Sequence, residues 1–470
     1  MKARLAALAV LLCAAHAAAE PRALTLDTAV NLALERNNEI KAAREGAKAA
    51  GHALRSSYGA FLPRLAAEGG WTQLNGPVEL DLNGVRSAII SADAATALVL
   101  GASAAQAGAL TAGLNASLPS FTMRVQDESY YNLALTASQP LYAGGRLAAA
   151  SRAKKAALAA AERNAAAAAD RVAGEVATGY FRLLLAARTA EIRREVLGGM
   201  KDHDFTAQKL LEQGMISRAN RMRSEAALAE ASREAAKAAR DEELAGLLLG
   251  NLLNLEESSF TLRTDFIKPA PAPELQQAVA RALAANPSLN ILAQSRRQLD
   301  ARYRAAQGTM LPSVYAFGRY EAYKADLTAL QPEWAAGIGV KLPIFSGFSD
   351  YEDIKEAGAQ REALARYSDS ARELVKTQVR KLHHDMLTAA EQYESLGVSL
   401  SLAEENLRLN KLSFAQGVCT SLEVIDAQLA LGKVKTERYR ALYDYAASLS
   451  ELLRAEGRGL EILGYQEKNL

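Results

Sequence analysis

The sequence predicts a mainly α-helical protein that also carries four β-strands, built as two copies of one unit of long antiparallel helices. Two observations lead to this prediction. Segments from the two halves align at a constant offset without gaps, and long helical stretches are interrupted by short segments of apolar–polar alternation. The composition agrees, because 50% of the residues are hydrophobic but only 6% are aromatic. Small side chains such as alanine favour close packing of long helices over a thick core.

The most informative repeat is a glycine turn between two helices. The segment QGVCTSLEVIDAQ at residues 416–428 has a counterpart 203 residues earlier, QGMISRANRMRSE at residues 213–225. In each copy a glycine interrupts a helical pattern, and a new helix begins behind a good N-cap residue, which in the second copy is Thr420 or Ser421. The offset pairs Gly214 with Gly417, Ser217 with Thr420 and Arg223 with Asp426.

A second repeat precedes the predicted strands. A helix expected over residues 27–60 stops at Pro63, and the same pattern stops at Pro312 in the second half. An offset of 249 aligns the two segments over 35 positions and pairs Asn37 with Asn286. Gapless agreement over that length indicates that the chain arose by duplication.

Two hairpins are predicted behind these prolines, at residues 64–140 and 313–343. Alternation with a period of two is clearest in the return strands, at residues 131–137 and 334–342. This pattern, with aromatic residues near the strand ends, fits strands that are apolar toward lipid and polar toward a lumen. A half-buried hairpin of a soluble sheet has the same pattern.

Proline corners bound both hairpins, and the first hairpin is the longer by 46 residues, the difference between the two offsets. The extra residues, roughly 76–129, are rich in Ala, Gly and Ser and include a predicted helix near residues 87–107. A large insertion of this kind belongs at the open tip of a hairpin, on the surface. The four corners are Pro63, Pro140, Pro312 and Pro343.

Long helices follow each hairpin, from Arg146 to near Gly214 and from Ser349 to near Gly417. Each has about 68 residues, or roughly 100 Å at 1.5 Å per residue. Shorter helices are expected over residues 219–254 and 422–456. The length of each shorter helix, added to the length of the helix before a hairpin, is about the length of one long helix. We therefore expect four helical columns with the hairpins at one end and the glycine turns at the other.

Residues 1–19 are predicted to be a cleaved secretory signal, with Lys2 and Arg4 before an apolar core and small residues up to Ala19. A lipid anchor at Cys13 is not expected, because Leu12 before it is not small. The remaining chain divides into a first repeat at 20–254, a linker at 255–275, a second repeat at 276–456 and a tail at 457–470.

Charge and cysteine content exclude several classes of function. Without the two signal cations, the 55 basic residues become 53 and equal the 53 acidic ones, so the basic surface typical of nucleic-acid binding is not expected. Cys419 would be the one remaining cysteine, so no intrachain disulfide is predicted. The histidines, including His203 and the pair His383–His384, have no metal-ligand spacing and are expected on solvated faces. We predict no catalytic site, metal or cofactor.

No segment is long and apolar enough for a transmembrane helix, so a membrane span would require strands. Four strands are too few to close a barrel, because about eight is the minimum. The sequence therefore predicts that the chain either oligomerises or does not span a membrane.

The repeat, the corners, the hairpins and the turns QGMIS and QGVCTSLEVIDAQ resemble the TolC family of outer membrane efflux proteins over nearly the whole mature chain. The resemblance implies a homotrimer in which each protomer gives four strands to one twelve-stranded barrel in the outer membrane. It further implies a long α-helical barrel that crosses the periplasm to a closed tip. Such proteins dock a periplasmic adaptor and an inner-membrane pump and export substrates.

The resemblance also implies roles for residues of the two glycine turns. Glu423 and Asp426 correspond to acids that face the pore near the closed tip, although both also suit the first turns of a helix as dipole-stabilising acids. The turns match the family's adaptor-docking pattern, with exposed apolar pairs as contacts. The docking residues would be Gly214, Met215, Ile216, Ser217, Gly417, Val418, Cys419 and Thr420.

Two departures from the family alter the expected closure. Asn220 and Cys419 stand where the family's best-known member has an Asp and an Arg, so its charged latch is absent. Phe414 replaces a tyrosine of the same network. The other function considered is a periplasmic adaptor or coiled-coil scaffold without a pore, which also suits long helical hairpins. That alternative leaves the alternating hairpins unexplained.

Overall fold

The computed structural model describes residues 22–256, 259–328 and 331–467. The predicted signal sequence lies outside these residues. The chain divides into two compact units. Among the described residues, the first comprises 22–53, 154–300 and 359–467, and the second comprises 54–153 and 301–358.

Most of the described chain is helical, and its strands form three separate sheets. The helices are α1 Leu26–Arg36, α2 Asn38–Gly59, α3 Asn83–Val99, α4 Ala104–Ser117, α5 Arg146–Glu212, α6 Arg218–Leu252, α7 Leu275–Ala285, α8 Pro287–Gln307, α9 Ser349–Ala415, α10 Ser421–Ala455 and the short α11 Gly464–Glu467. The strands are β1 Arg22–Leu24, β2 Arg64–Gln73, β3 Val78–Asp81, β4 Thr122–Gln126, β5 Ser129–Ala143, β6 Phe260–Leu262, β7 Ser313–Tyr323 and β8 Trp334–Lys341.

The helices that flank the glycine turns have the predicted bounds within about two residues. Helices α5 and α9 each have 67 residues, and α6 and α10 each have 35. The equal lengths agree with the duplication inferred from the offset of 203. Among the residues that the structure describes, none of these helices is long and apolar enough to cross a membrane.

The prediction of a single helix over residues 27–60 is wrong. The helix breaks at Asn37, where ψ is 127°, into α1 and α2. The Asn37 side-chain oxygen accepts from the backbone N–H of Glu39 at 2.9 Å, and its amide nitrogen donates to the carbonyl of Leu252 at 3.2 Å. An asparagine side chain competes for backbone hydrogen bonds in this way and favours a cap over a helix interior.

Asn286 breaks the second copy in the same way, between α7 and α8. Its side-chain oxygen accepts from Ser288 N at 3.0 Å, and its amide nitrogen donates to Ala455 O at 3.0 Å. The positions correspond, since Asn286 follows Asn37 by 249 residues and Ala455 follows Leu252 by 203. The duplication therefore preserves a hydrogen bond and not only a helix pattern.

The largest core lies in the first unit, around two adjacent aromatic residues of α5. Tyr180 and Phe181 are fully buried, and the Phe181 ring stacks on that of Phe266 at 5.8 Å. The Tyr180 hydroxyl donates to Leu24 O at 3.1 Å and accepts from Thr264 N at 2.9 Å. These bonds hold the parallel pair of β1 and β6 against the long helix.

The second unit contains an antiparallel four-stranded sheet in the order β2-β5-β7-β8. Leu65 pairs with Ala137, Leu135 with Tyr320, and Tyr320 with Trp334. Among the described residues, β2 and β8 each have one neighbouring strand, so both outer edges of the sheet are unpaired.

The insertion in the first hairpin differs from its prediction. The single helix expected near residues 87–107 is two helices, α3 and α4, which follow β3 and precede β4. The break occurs at Gly101, whose φ of 94° lies in the left-handed region. Ser103 then caps α4, because its hydroxyl accepts from Gln106 N at 3.3 Å.

Candidate functional site

The candidate functional site is the tip region, which we define as the two glycine turns at residues 213–217 and 416–420 with the adjoining ends of α5, α6, α9 and α10. Gly214 and Gly417 have φ values of 72° and 73°. Behind each, an N–H donates to the carbonyl five residues earlier, from Met215 to Leu210 at 2.8 Å and from Val418 to Ser413 at 2.9 Å. Both turns therefore end their helices with a Schellman motif, which a left-handed glycine permits.

Both turns present an apolar side chain to solvent and lie next to each other. Met215 is 53% exposed and Val418 is 77% exposed. A Cβ on Gly417 would lie 3.5 Å from the Met215 methyl carbon. The predicted docking residues thus form one neighbouring pair of turns, whereas Ile216 and Cys419 pack inward against a small apolar cluster. Docking itself stays a prediction.

Glu423 and Asp426 lie exposed on the first turns of α10, but their carboxylates have different environments. The Glu423 carboxylate accepts from the backbone N–H of Thr420 at 2.6 Å and from its hydroxyl at 3.1 Å. This is the capping-box arrangement, in which an acid at the third position satisfies the N-cap donor. Within residues 22–256, 259–328 and 331–467, Asp426 has no ion pair or hydrogen-bonded side chain, so its charge is free to act on solvent ions.

Phe414 and Cys419 are both packed into the tip region. Phe414 is 3% exposed, and the Cys419 thiol donates to the carbonyl of Asn410 at 3.3 Å. Burial, and then the charge of Glu423, raise the pKa of the Cys419 thiol. The half-buried thiol therefore favours its protonated form, which is the less nucleophilic one.

Asn220 lies at the start of α6, where its backbone N–H donates to the Ser217 hydroxyl at 3.3 Å. The described hydrogen bonds of Asn220 and Cys419 thus stay within their own helical pairs. The absence of a latch between these two positions remains a prediction for the assembled protein.

The bond that joins the two helical pairs involves a residue expected in solvent. His203 is 6% exposed, and its Nε2 lies 2.7 Å from the hydroxyl oxygen of Ser421, which is fully buried. The imidazole also packs on Phe414, with ring centroids 4.6 Å apart. The expectation of a solvated histidine was wrong, because α10 begins directly over this face of α5. The positions of His203 and Phe414 in the sequence do not predict that the two rings are in contact.

A second polar group in the tip region was also missed. Arg221 forms an ion pair with Asp204, and both side chains are 15% exposed. The Ser224 hydroxyl donates to Asp204 at 2.9 Å, and Arg221 also pairs with Glu225 at 3.1 Å. The offset of 203 would have drawn attention to this network, because the second copy has apolar residues at the same places. They are Leu407, Val424 and Ala427.

The corners of the sheet depend less on proline than predicted. Pro63 and Pro312 directly precede β2 and β7, and Pro343 follows β8 by two residues. Pro140 was wrongly placed, because β5 passes through it and ends at Ala143. The turn behind β5 uses Gly144 and Gly145, with φ values of 61° and 76°.

Gly144 and Gly308 fix this corner. A Cβ built on either would collide with the backbone carbonyl oxygen of the other. Only two glycines allow the chain segments to approach so closely.

The two faces of the sheet have opposite chemistry. One face exposes large apolar side chains, among them Leu65 at 80% and Ile338 at 70%. The other face carries Glu68 and Arg319, with Glu321 bonded to Arg319 at 2.5 Å. The alternation read from the sequence is therefore present as an apolar and a polar face.

Comparison with known proteins supports the fold over nearly the whole chain. The outer membrane channel CmeC of Campylobacter jejuni matches with a TM-score of 0.73 and 16% identity, covering 95% of this chain and 89% of that one. The open state of the MtrE outer membrane channel of Neisseria gonorrhoeae matches with a TM-score of 0.69 and 21% identity, covering 93% and 89%. Residues 278–458 match the family model of the outer membrane efflux proteins. The chain is thus similar to the outer membrane efflux proteins in fold, and also in sequence over its second repeat. The predicted fold class and the resemblance to that family are confirmed.

One curated protein is also similar to this chain in sequence. It is the alkaline protease secretion protein AprF of Pseudomonas aeruginosa, 26% identical over 290 residues. The match covers 59% of this chain and 59% of the relative. These similar proteins are outer membrane channels and a secretion protein. Among the described residues, no group of three or more His, Cys, Asp or Glu is placed to hold a metal.

Proposed function

We propose that this chain is the outer membrane duct of an export system. Three copies would each give four strands to one twelve-stranded barrel, and their helices would extend into the periplasm. A periplasmic adaptor and an inner-membrane pump would deliver small molecules or proteins to the duct. Because such a duct is passive, the pump would decide which substrates it carries.

The observation that carries this proposal is the sheet β2-β5-β7-β8. Its apolar face is exposed, and both of its edges are unpaired among the described residues. Lipid does not tolerate an open sheet edge, so a sheet that enters a membrane must close with strands from other copies. The proteins that this chain resembles, which are outer membrane channels and a protease secretion protein, also support a role in export.

The tip region would be the periplasmic gate and docking end of this duct. Three copies would bring six carboxylates from Glu423 and Asp426 together, which would attract cations. Met215 and Val418 would offer the adaptor an apolar contact. Without a charged latch at Asn220 and Cys419, closure would depend more on apolar packing around Phe414.

A pair of neighbouring substitutions tests the membrane role of the sheet. Leu135 lies on the apolar face and Thr136 on the polar face of β5. Leu135→Arg should abolish recovery from the outer membrane fraction, because an Arg in the lipid-facing band costs about 2–4 kcal/mol near the bilayer midplane. Thr136→Arg is the control and should still insert and conduct in planar bilayers. A non-conducting monomer recovered only from the soluble fraction would contradict the duct and favour the scaffold.

A further inference from the structure

The first unit contains a cavity of about 390 Å³ between α5, α9, α10 and the segment behind β6. The apolar part of its lining consists of Ile192, Leu400 and Leu442 with the rings of Phe266, Tyr393 and Tyr439. This volume is typical of small-molecule sites, and the lining is mixed, with polar surface slightly exceeding apolar surface. The polar groups are the charged residues Arg188, Glu191, Glu195, Asp265, Lys268, Lys435 and Arg438.

Two of the cations are neutralised within the cavity. Arg188 donates to Glu191 at 3.1 Å, and Lys435 donates to both oxygens of Glu195 at 2.7 and 2.9 Å. Both cations therefore have a carboxylate partner within the cavity, although the buried Nε of Arg188 has no acceptor among the described residues.

Arg438 has a different environment. Its guanidinium carbon lies 4.5 Å from the centroid of the Tyr393 ring, and its Nη2 donates to the Tyr393 hydroxyl at 3.1 Å. Among the described residues it has no carboxylate partner within ion-pair distance, and its buried Nε has no acceptor. Buried donors are nearly always paired, so the Arg438 Nε needs an acceptor that the described residues do not supply, either water or a bound ligand. Lys268, exposed at the same cavity, also has no described ion pair.

We propose that this cavity binds a small aromatic carboxylate. The carboxylate would accept hydrogen bonds from Arg438 and lie near Lys268, and the aromatic body would pack among Phe266, Tyr393 and Tyr439. Arginine suits this role because its planar fork matches a carboxylate while its face stacks on an aromatic ring. A neutral ligand of the same shape would leave the Arg438 cation without a carboxylate partner.

Isothermal titration calorimetry on the full-length protein in nanodiscs tests this site, with 1-naphthoate as probe and 1-naphthalenemethanol as its neutral counterpart. Naphthoate should bind at least tenfold more tightly than the alcohol. Arg438→Gln should weaken naphthoate at least tenfold, and Arg438→Lys should weaken it less. Lys433→Gln is the matched control, because Lys433 is exposed on the same helix, lies outside the cavity lining and pairs with Glu437 at 3.8 Å. It should bind like the unaltered protein.

Several outcomes would overturn the proposal. They are the absence of naphthoate binding to the unaltered protein at millimolar concentration, equal binding of the alcohol, or unchanged binding by the folded Arg438→Gln variant. If that variant instead lost its oligomeric state, and the unaltered protein bound no naphthoate, Arg438 would be a contact between copies. The measurement does not depend on conductance, so its failure leaves the proposed duct untouched.

Discussion

The imidazole of His203 and the hydroxyl of Ser421 lie 2.7 Å apart and join the two repeats at the start of α10. One residue comes from the helix before the first glycine turn and the other from the helix after the second. Burial lowers the pKa of His203, with Asp204 opposing this shift and Lys411 adding to it. The imidazole is therefore held neutral, and its protonation would break the packing around it.

We predict that the tip region loosens as pH falls. The folded-state pKa of His203 lies below the ordinary histidine value of about 6.5, so the unfolded state binds more protons than the folded state as pH falls below that value. The stability from the neutral imidazole is present above about pH 6.5 and is lost as pH falls toward the folded pKa. Hydrogen exchange of peptides around Ser421, corrected for intrinsic pH dependence, should be faster at pH 5.5 than at pH 7.5.

His203→Gln should remove most of this extra pH dependence. His52→Gln is the control, because His52 is exposed. The mechanism fails if His203→Gln and the unaltered protein show the same difference between the two pH values.

The network of Asp204, Arg221 and Ser224 should be replaceable by the residues of the second repeat. Asp204→Leu alone should destabilise by about 1–3 kcal/mol, because it leaves the mostly buried Arg221 with the exposed Glu225 as its ion-pair partner. Adding Arg221→Val and Ser224→Ala gives a triple variant with the residues that the second repeat has at these positions, Leu407, Val424 and Ala427. This variant should regain or exceed the original stability. Thermal unfolding followed by far-UV circular dichroism measures both variants. A triple variant less stable than Asp204→Leu would show that the two repeats pack differently here.

Much of the fold was predictable from the sequence, because it depends on local patterns that the duplication doubles. The helix bounds around Gly214 and Gly417 followed from glycine and N-cap signals. The alignment of Asn37 with Asn286 was predicted, but the helix break at Asn37 was not. The break depends on a hydrogen bond to Leu252, which is distant in the sequence. The site was less predictable. Glu423 was readable as a helix-start acid, but the burial of His203 depends on contacts 218 residues apart.

Gly432 should be intolerant of a methyl group where α10 meets α5. A Cβ at this position would lie 2.7 Å from a methyl carbon of Val196, whose branched side chain is stiff. Gly432→Ala should therefore cost about 1–3 kcal/mol by overpacking. Gly397→Ala is the control, because nothing lies within 4 Å of its Cβ position, and it should stabilise α9 by about 0.5–1 kcal/mol. Melting temperatures that shift in the same direction for both would contradict this packing.

Asn286→Ala should destabilise the first unit by about 1–3 kcal/mol, because it leaves the buried carbonyl of Ala455 unpaired and removes the cap of α8. Asn286→Asp separates the two effects. It keeps an acceptor for Ser288 but replaces the donor to Ala455. If the bond between repeats matters most, Asp should be nearly as destabilising as Ala in thermal unfolding. If the cap dominates, Asp should resemble the unaltered protein.

Glu423 should have two separable roles, one in capping α10 and one as a charge at the proposed gate. Glu423→Ala removes both and should cost about 0.3–1.5 kcal/mol of local helix stability, seen as faster hydrogen exchange over the first turn. Glu423→Gln keeps an acceptor for the Thr420 N–H and should leave exchange nearly unchanged. Combined with Asp426→Asn, it should lower cation preference and block by multivalent cations in planar bilayers, because a ring of negative charge is lost. Faster exchange in the Gln variant would contradict the separation, and unchanged selectivity of the double variant would remove both acids from the gate.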